Sequence, residues 1–319
     1  MNPIKRQLAS AIALALLLVP MLTCAADAPP PDEEVISADA GAAKSFERSY
    51  SFASDGSVEI SNVRGSVTVT GSNENRIGLA GSVGAGARLV IGGSARHIEL
   101  NVEAKHSGGK HGSPSDTNLV LSVPHAVALK LELVSADSKV VGIDGKSLEI
   151  ENVSGAVQAT GASRSVEIDS VSGNVKFDTS RAGATDHAHV QTVSGDIAVG
   201  GVEGRVKLET VSGKIGYSAP SVTEFNAESV SGTIDASVAP AKGARLRAET
   251  MSGTVKLRVP AALSARLSAT TFSGNIKSDF GSVKKAEYGP GESLDARVGD
   301  GDARIETESF SGSIHILKQ

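Results

Sequence analysis

One four-residue word constrains what this chain can fold into. Asn, Ser or Thr, then Val, Met or Phe, then Ser-Gly recurs with its glycine at positions 155, 173, 195, 213, 232, 253, 274 and 312. Successive intervals are 18, 22, 18, 19, 21, 21 and 38 residues, and a degenerate copy, "NVRGSVTV", gives Gly65 the same role. A unit of about twenty residues cannot bury an apolar face alone, so the copies must stack on one another. The 38-residue interval reads as two copies with one word erased.

Aligned on that glycine, the copies separate into fixed and free columns. Two residues after it stand Val157, Val175, Ile197, Ile215, Ile234, Val255, Ile276 and Ile314, β-branched in every case. Five and seven before it the residues are again mostly apolar, for example Leu208 and Val206. A spacing of two within each arm predicts strands with one face inward. Across the word the phase slips, because Val206 and Leu208 share one parity while Val211, Ile215 and Tyr217 share the other. With all five expected inward, the chain must bend or bulge between Leu208 and Val211. The structural corners are thus Ser154, Ser172, Ser194, Ser212, Ser231, Ser252, Ser273 and Ser311, each beside its glycine: Gly155, Gly173, Gly195, Gly213, Gly232, Gly253, Gly274 and Gly312. Glycine at a corner supplies positive φ or room for another backbone.

The predicted fold is all-β: a parallel β-solenoid of about 18–22 residues per coil, roughly thirteen coils forming a rod about 60 Å long. Right-handed winding follows from the general rule for parallel crossovers. The composition agrees. Trp is absent and aromatics are 3%, while 35 glycines let backbone layers lie close, so Val, Ile, Leu and Ala must fill the interior.

The first 26 residues are expected to be a secretory signal: Lys5 and Arg6, then the apolar "LASAIALALLLVPML", then small residues. The apolar run is short for a membrane span, and the rest of the chain offers no transmembrane segment. Lipid anchoring through Cys24, the only cysteine, is the alternative to cleavage after Ala26. Export without the signal leaves no thiol, so packing and hydrogen bonds must hold the fold. Residues 27–50 form an acidic, Pro-rich leader or cap, and residues 51–319 form the solenoid domain. The formal net charge of −5, with no basic run and no aromatic platform, argues against a nucleic-acid partner.

Four residues before the corner glycine runs a candidate acidic stripe of Glu151, Asp169, Glu209, Glu228, Glu249 and Glu308, with Gln191 and Thr270 filling the other copies. Stacked carboxylates repel unless solvated, paired or bridged by cations. Either they are outward residues that confer solubility or they bind cations or polycations, with Lys176, Lys256 and Lys277 as nearby neutralising charges. Other candidates are isolated. His187 and His189 beside Asp186 form an H-x-H in a Gly- and Ala-rich turn; His106 and His111 sit in a loop sequence; Asp300 and Asp302 form a single turn without the iteration that calcium-binding repeats use. Neither a nucleophile elbow nor a recurrent His partner for the corner serines is present. No catalytic, metal or cofactor residues are assigned.

The segments "LVLSVPHAVALKLELVSADSKVVGIDGKSLEIENVSGAVQAT", "LRVPAALSARLSATTFSGNIKSDFG" and "IETESFSGSIHILKQ" resemble the bacterial β-strand-repeat family catalogued as "putative adhesins". The resemblance covers roughly residues 45–319. It implies an envelope or surface β-helix and carries over no catalytic residue. The expected function is that of an exported, non-catalytic scaffold binding an envelope polysaccharide or protein, periplasmic or at the cell surface. The alternatives are a β-helix polysaccharide lyase or hydrolase and an accessory protein of the envelope-stress response. The terminal "HILKQ" continues its strand without a polar cap, which predicts an open sheet edge and end-to-end self-association.

Overall fold

The computed structural model describes residues 28–39, 41–104, 115–285 and 289–319. The expected signal segment, Cys24, His106 and His111 lie outside the described residues. Among the described residues all regular structure is β, and the strands join into one large sheet.

The central stack is parallel and solenoid-like. Strand Ser147–Ser154 pairs in parallel with Ser165–Ser172, that with His187–Ser194, and that with Arg205–Ser212. After the corner the second arms stack likewise: Val157–Gly161 on Val175–Thr179, then on Ile197–Gly200, then on Ile215–Val259. The register aligns the repeat columns residue for residue, Val157 opposite Val175 and Val175 opposite Ile197. All eight β-branched residues of that column are buried, as are both columns of the first arm. Each fully buried Val or Ile contributes about 1.5–3 kcal/mol, so the stack draws its stability from many small, equivalent rungs. Tyr217 and Phe225 stack inside at 4.6 Å.

Seven of the eight corner glycines sit against the carbonyl of the corner glycine in a neighbouring coil, and Gly155 sits against that of Ala136. A Cβ at Gly213 would lie 2.0 Å from the Gly195 carbonyl oxygen, and one at Gly173 would lie 2.0 Å from that of Gly155. Both reasons for glycine hold together at Gly155, whose φ is 129° and whose Cβ would meet the Ala136 carbonyl at 2.4 Å. The next residue is often Asn or Asp because its side chain accepts from the neighbouring coil's backbone, as Asn174 does from Asp196 N–H and Asp196 from Lys214 N–H.

The phase slip falls later than the sequence parity suggests. Thr210 continues the inward face of Val206 and Leu208, while Val211 points outward at 47% exposure. Only at Ser212 and Gly213 does the backbone reset to bring Ile215 inward. Val211 and its counterparts are therefore surface residues, and a small polar side chain, Ser or Thr in most coils with Asn62 and Asn152 in two others, occupies the inward site beside the corner.

At both ends the chain leaves the repeat order. Residues 303–318 pair in parallel with residues 245–259 on one side and with Ala265–Ser273 and Ile276–Ser278 on the other. The last segment of the sequence is thus inserted between two earlier coils, and "HILKQ" is no open edge. Val259 opposes Lys318, Lys277 opposes His315, and Gln319 N–H donates to the Val259 carbonyl. The 38-residue interval holds no erased copy. It holds an outward excursion in which Glu292–Val298 caps Ala265–Ser273 in antiparallel pairing. The opposite end is built the same way. Ser57–Ser72 lies between Ala128–Ile143 and the pair His97–Ala104 and Thr117–Pro124, all parallel. Antiparallel strands Ala87–Ser94 and Arg76–Val83 follow, and Glu34–Ser37 and Lys44–Ser51 form the outermost layer. Arg48 and Tyr50 both bond to Glu34, tying those two last strands together.

Candidate functional site

The outward residues of the first arm build a long trough. Two before the corner stand Val63, Val134, Val153, Val171, Val193, Val211, Val230, Met251, Phe310 and Phe272 in stacking order, each between 42% and 61% exposed. Ten rungs at about 4.8 Å make an apolar ridge about 43 Å long. It ends in Phe310 and Phe272, stacked at 4.9 Å with rings 7° apart, 58% and 61% exposed. Isolated exposed valines are ordinary, whereas a contiguous apolar row of this length is uncommon on a protein surface.

Parallel to it, two residues earlier on each strand, runs the acidic stripe. Glu151 opposes Asp169, Asp169 opposes Gln191, Gln191 opposes Glu209, Glu209 opposes Glu228, and Glu249 opposes Glu308. The structure thus brings all six predicted carboxylates into one column and adds a seventh, Glu132, opposite Glu151. Glu132 escapes the sequence pattern because its copy has Ala136 where the glycine would be; the preceding L-x-L-x-L alternation was the available signal. Between the two ridges lies a groove of about 1290 Å³, lined along its length by the carboxylates, the apolar ridge and the intervening Ser and Thr residues.

Two unit charges about 5 Å apart repel by about 0.8 kcal/mol in water and about 3 kcal/mol at an effective dielectric of 20. The column relieves this only in places. Lys130 lies 3.0–3.4 Å from Glu132, Glu149 and Glu151; Lys207 and His189 flank Glu209 at 2.8 and 2.9 Å; Arg247 pairs with Glu249. These cations precede the carboxylates by two residues on the first arm or on a neighbouring strand. The anticipated neutralisers play no such part: Lys176 bonds Asp178 on the second arm, and Lys256 and Lys277 face that arm too. Burial tends to raise the Glu209 carboxyl, but hydrogen bonds from Lys207 and His189 outweigh it and hold the group below its ordinary range. Asp169, Glu228 and Glu308 have no cationic partner within ion-pair distance among the described residues, and one buried Asp169 oxygen has no hydrogen-bond partner.

The remaining candidates stay apart from the trough's chemistry. His187 lies against the Arg205 guanidinium, and Asp302 accepts from Ser264. Among the described residues no three His, Cys, Asp or Glu are grouped to hold a metal ion, and no helix is long and apolar enough to cross a membrane.

This architecture has relatives. The sequence model of the Toastrack DUF4097 family matches residues 46–202 and again 185–317. The chain belongs to the Toastrack family. The two matches overlap within the central Toastrack stack, so the family pattern runs through nearly all the coils. Solved structures resemble it at low identity. A "putative adhesin" from Bacteroides fragilis is 13% identical, with 86% of this chain and 97% of that one covered and a TM-score of 0.41. A "putative cell adhesion protein" from Clostridium sporogenes is 10% identical over 91% and 100%, with a TM-score of 0.21. A "Putative lipid binding protein" from Parabacteroides distasonis is 10% identical over 88% and 99%, with a TM-score of 0.45. No curated protein matches the chain.

Proposed function

We propose that this Toastrack chain is an exported, non-catalytic binding rod of the cell envelope, wound right-handed, that holds an extended surface polymer or protein in its lateral trough. The carrying observation is the uninterrupted apolar ridge from Val63 to Phe272, exposed on every rung beside a continuous groove. A stack that hides every other aliphatic column and exposes this one has left a face for a partner. The groove's carboxylates are strung along one wall, one to a coil and interrupted by Gln191 and Thr270, without the convergence on a single reacting point that hydrolysis or elimination of a glycan demands. A signal in residues 1–26 and a leader over residues 27–50, as the sequence suggests, would deliver the rod outside the cytoplasm.

The test is retention without turnover. Purified protein is offered acidic and neutral glycans and extended polypeptides, and both binding and cleavage are scored. Retention that falls when Phe272 and Phe310 are both changed to Ser, with no product formed, is the expected result. Cleavage lost on changing one trough carboxylate would replace the scaffold with an enzyme.

A further inference from the structure

The two walls of the trough differ in chemistry, and that difference selects its occupant. One is a row of seven carboxylates from Glu132 to Glu308; the other is a row of Val, Met and Phe two residues away. We propose that the trough docks an extended polypeptide in which basic and apolar residues alternate, its cationic side chains toward the carboxylate wall and its apolar side chains toward the Val–Met–Phe wall. The assignment rests on the reading of the trough as a binding face.

Four points favour this occupant. A strand lying along a groove throws successive side chains to opposite sides, so an alternating sequence presents one chemistry to each wall at once. The ridge of about 43 Å accommodates about thirteen extended residues at about 3.3 Å each. Asp169, Glu228 and Glu308 are at least partly exposed and have no cation within ion-pair distance among the described residues, so each can take an incoming Lys or Arg. Glu308 stands two residues from Phe310, so the charge of the last rungs is beside the aromatic pair that offers the largest exposed apolar surface. Aromatic anchors of this kind carry a large share of binding energy.

The same features disfavour other occupants. A second copy would bring its own carboxylate row against this one, and an anionic membrane surface would meet the same repulsion. A neutral glycan stacks on aromatic faces, which only the two end rungs provide.

Fluorescence anisotropy with labelled, end-blocked dodecapeptides tests this on the full chain. Three probes alternate strictly, Lys with Leu, Gln with Leu and Glu with Leu; a fourth has the Lys-Leu composition with all its lysines first and all its leucines after. The expectation is that the alternating Lys-Leu peptide binds at least about tenfold more tightly than the other three, with affinity falling as salt rises. The triple variant Asp169→Asn/Glu228→Gln/Glu308→Gln should weaken it about tenfold and flatten the salt dependence, leaving the melting temperature near wild type. Phe272→Ser/Phe310→Ser should weaken the alternating Lys-Leu and Gln-Leu peptides alike. Equal binding of those two peptides, or indifference to the triple variant, overturns the basic-peptide assignment; if the Phe variant still abolishes binding, the trough itself stands. Tight binding of the block peptide overturns the alternation. Binding of no probe overturns the assignment, and if glycan retention is also absent the trough fails with it.

Discussion

The carbonyl oxygen of Gly253 lies 1.8 Å from where a Cβ on Gly312 would stand, although 59 positions separate the two residues in sequence. The contact records the inserted position of the last strand and makes Gly312 intolerant of any side chain. Because the obstacle is backbone in a packed ladder, relief requires two coils to part. Gly312→Ala is expected to cost about 3 kcal/mol, whereas Gly41→Ala, with open space around it, should stay within about 0.5 kcal/mol. Chemical denaturation of both variants decides it; equal midpoints would mean the two corners do not stack.

That insertion changes what truncation does. Were the final strand the end of the rod, its removal would expose one fresh edge and cost little elsewhere. As it is, residues 303–318 hold residues 245–259 apart from residues 265–278. Deleting residues 303–319 should therefore release the whole segment from residue 265 onward. Hydrogen exchange should show loss of protection across Ala265–Ser273 and Glu292–Val298, with the Ser147–Ser212 coils unaffected. Retained protection in Ala265–Ser273 would contradict the observed strand order.

A pair of substitutions four residues apart tests where the phase slip falls. Ile215 is fully buried, so Ile215→Asp places an unpaired charge in the core and should destabilise by roughly 3–5 kcal/mol. Val211 is 47% exposed, and Val211→Asp should change stability by less than about 1 kcal/mol. Thermal melts of the two proteins give the comparison, and a large loss in the Val211 variant would return that residue to the interior.

Much of this fold was legible in the repeat. The glycine column, the β-branched column after it and the two apolar columns before it specify strands, a corner and stacking, because each rung meets a near-copy of itself. The exposed ridge was harder to read. Counting parity on Val211 alone placed it inward, and side-chain volume does not correct the count, since the buried column seven before the glycine itself runs from Ala188 to Phe225. The end excursions were not legible, since a repeat alignment gives the order of copies along the chain, whereas strand insertion depends on long-range pairing. The carboxylate column was visible, but its counter-charges were not, because Lys130 reaches Glu149 and Glu151 across coils.

Acid titration exposes the pairing around Glu209. Its carboxyl is pulled upward by burial and more strongly downward by hydrogen bonds from Lys207 and His189, with a net fall below the unfolded value. A depressed folded value means the folded state favours the ionised form. The resulting stabilisation is complete above the ordinary carboxylate range and disappears as pH falls through the lowered folded value. Wild type should therefore melt above Glu209→Gln at neutral pH, and the gap should narrow steadily on acidification. Because the group is only partly buried and its partners are solvated, the gap should be small, about 1 kcal/mol at most. Paired melts of the two proteins across the acid range measure it. A gap that stays constant with pH would mean that the Lys207 and His189 contacts do not act through the charge of Glu209.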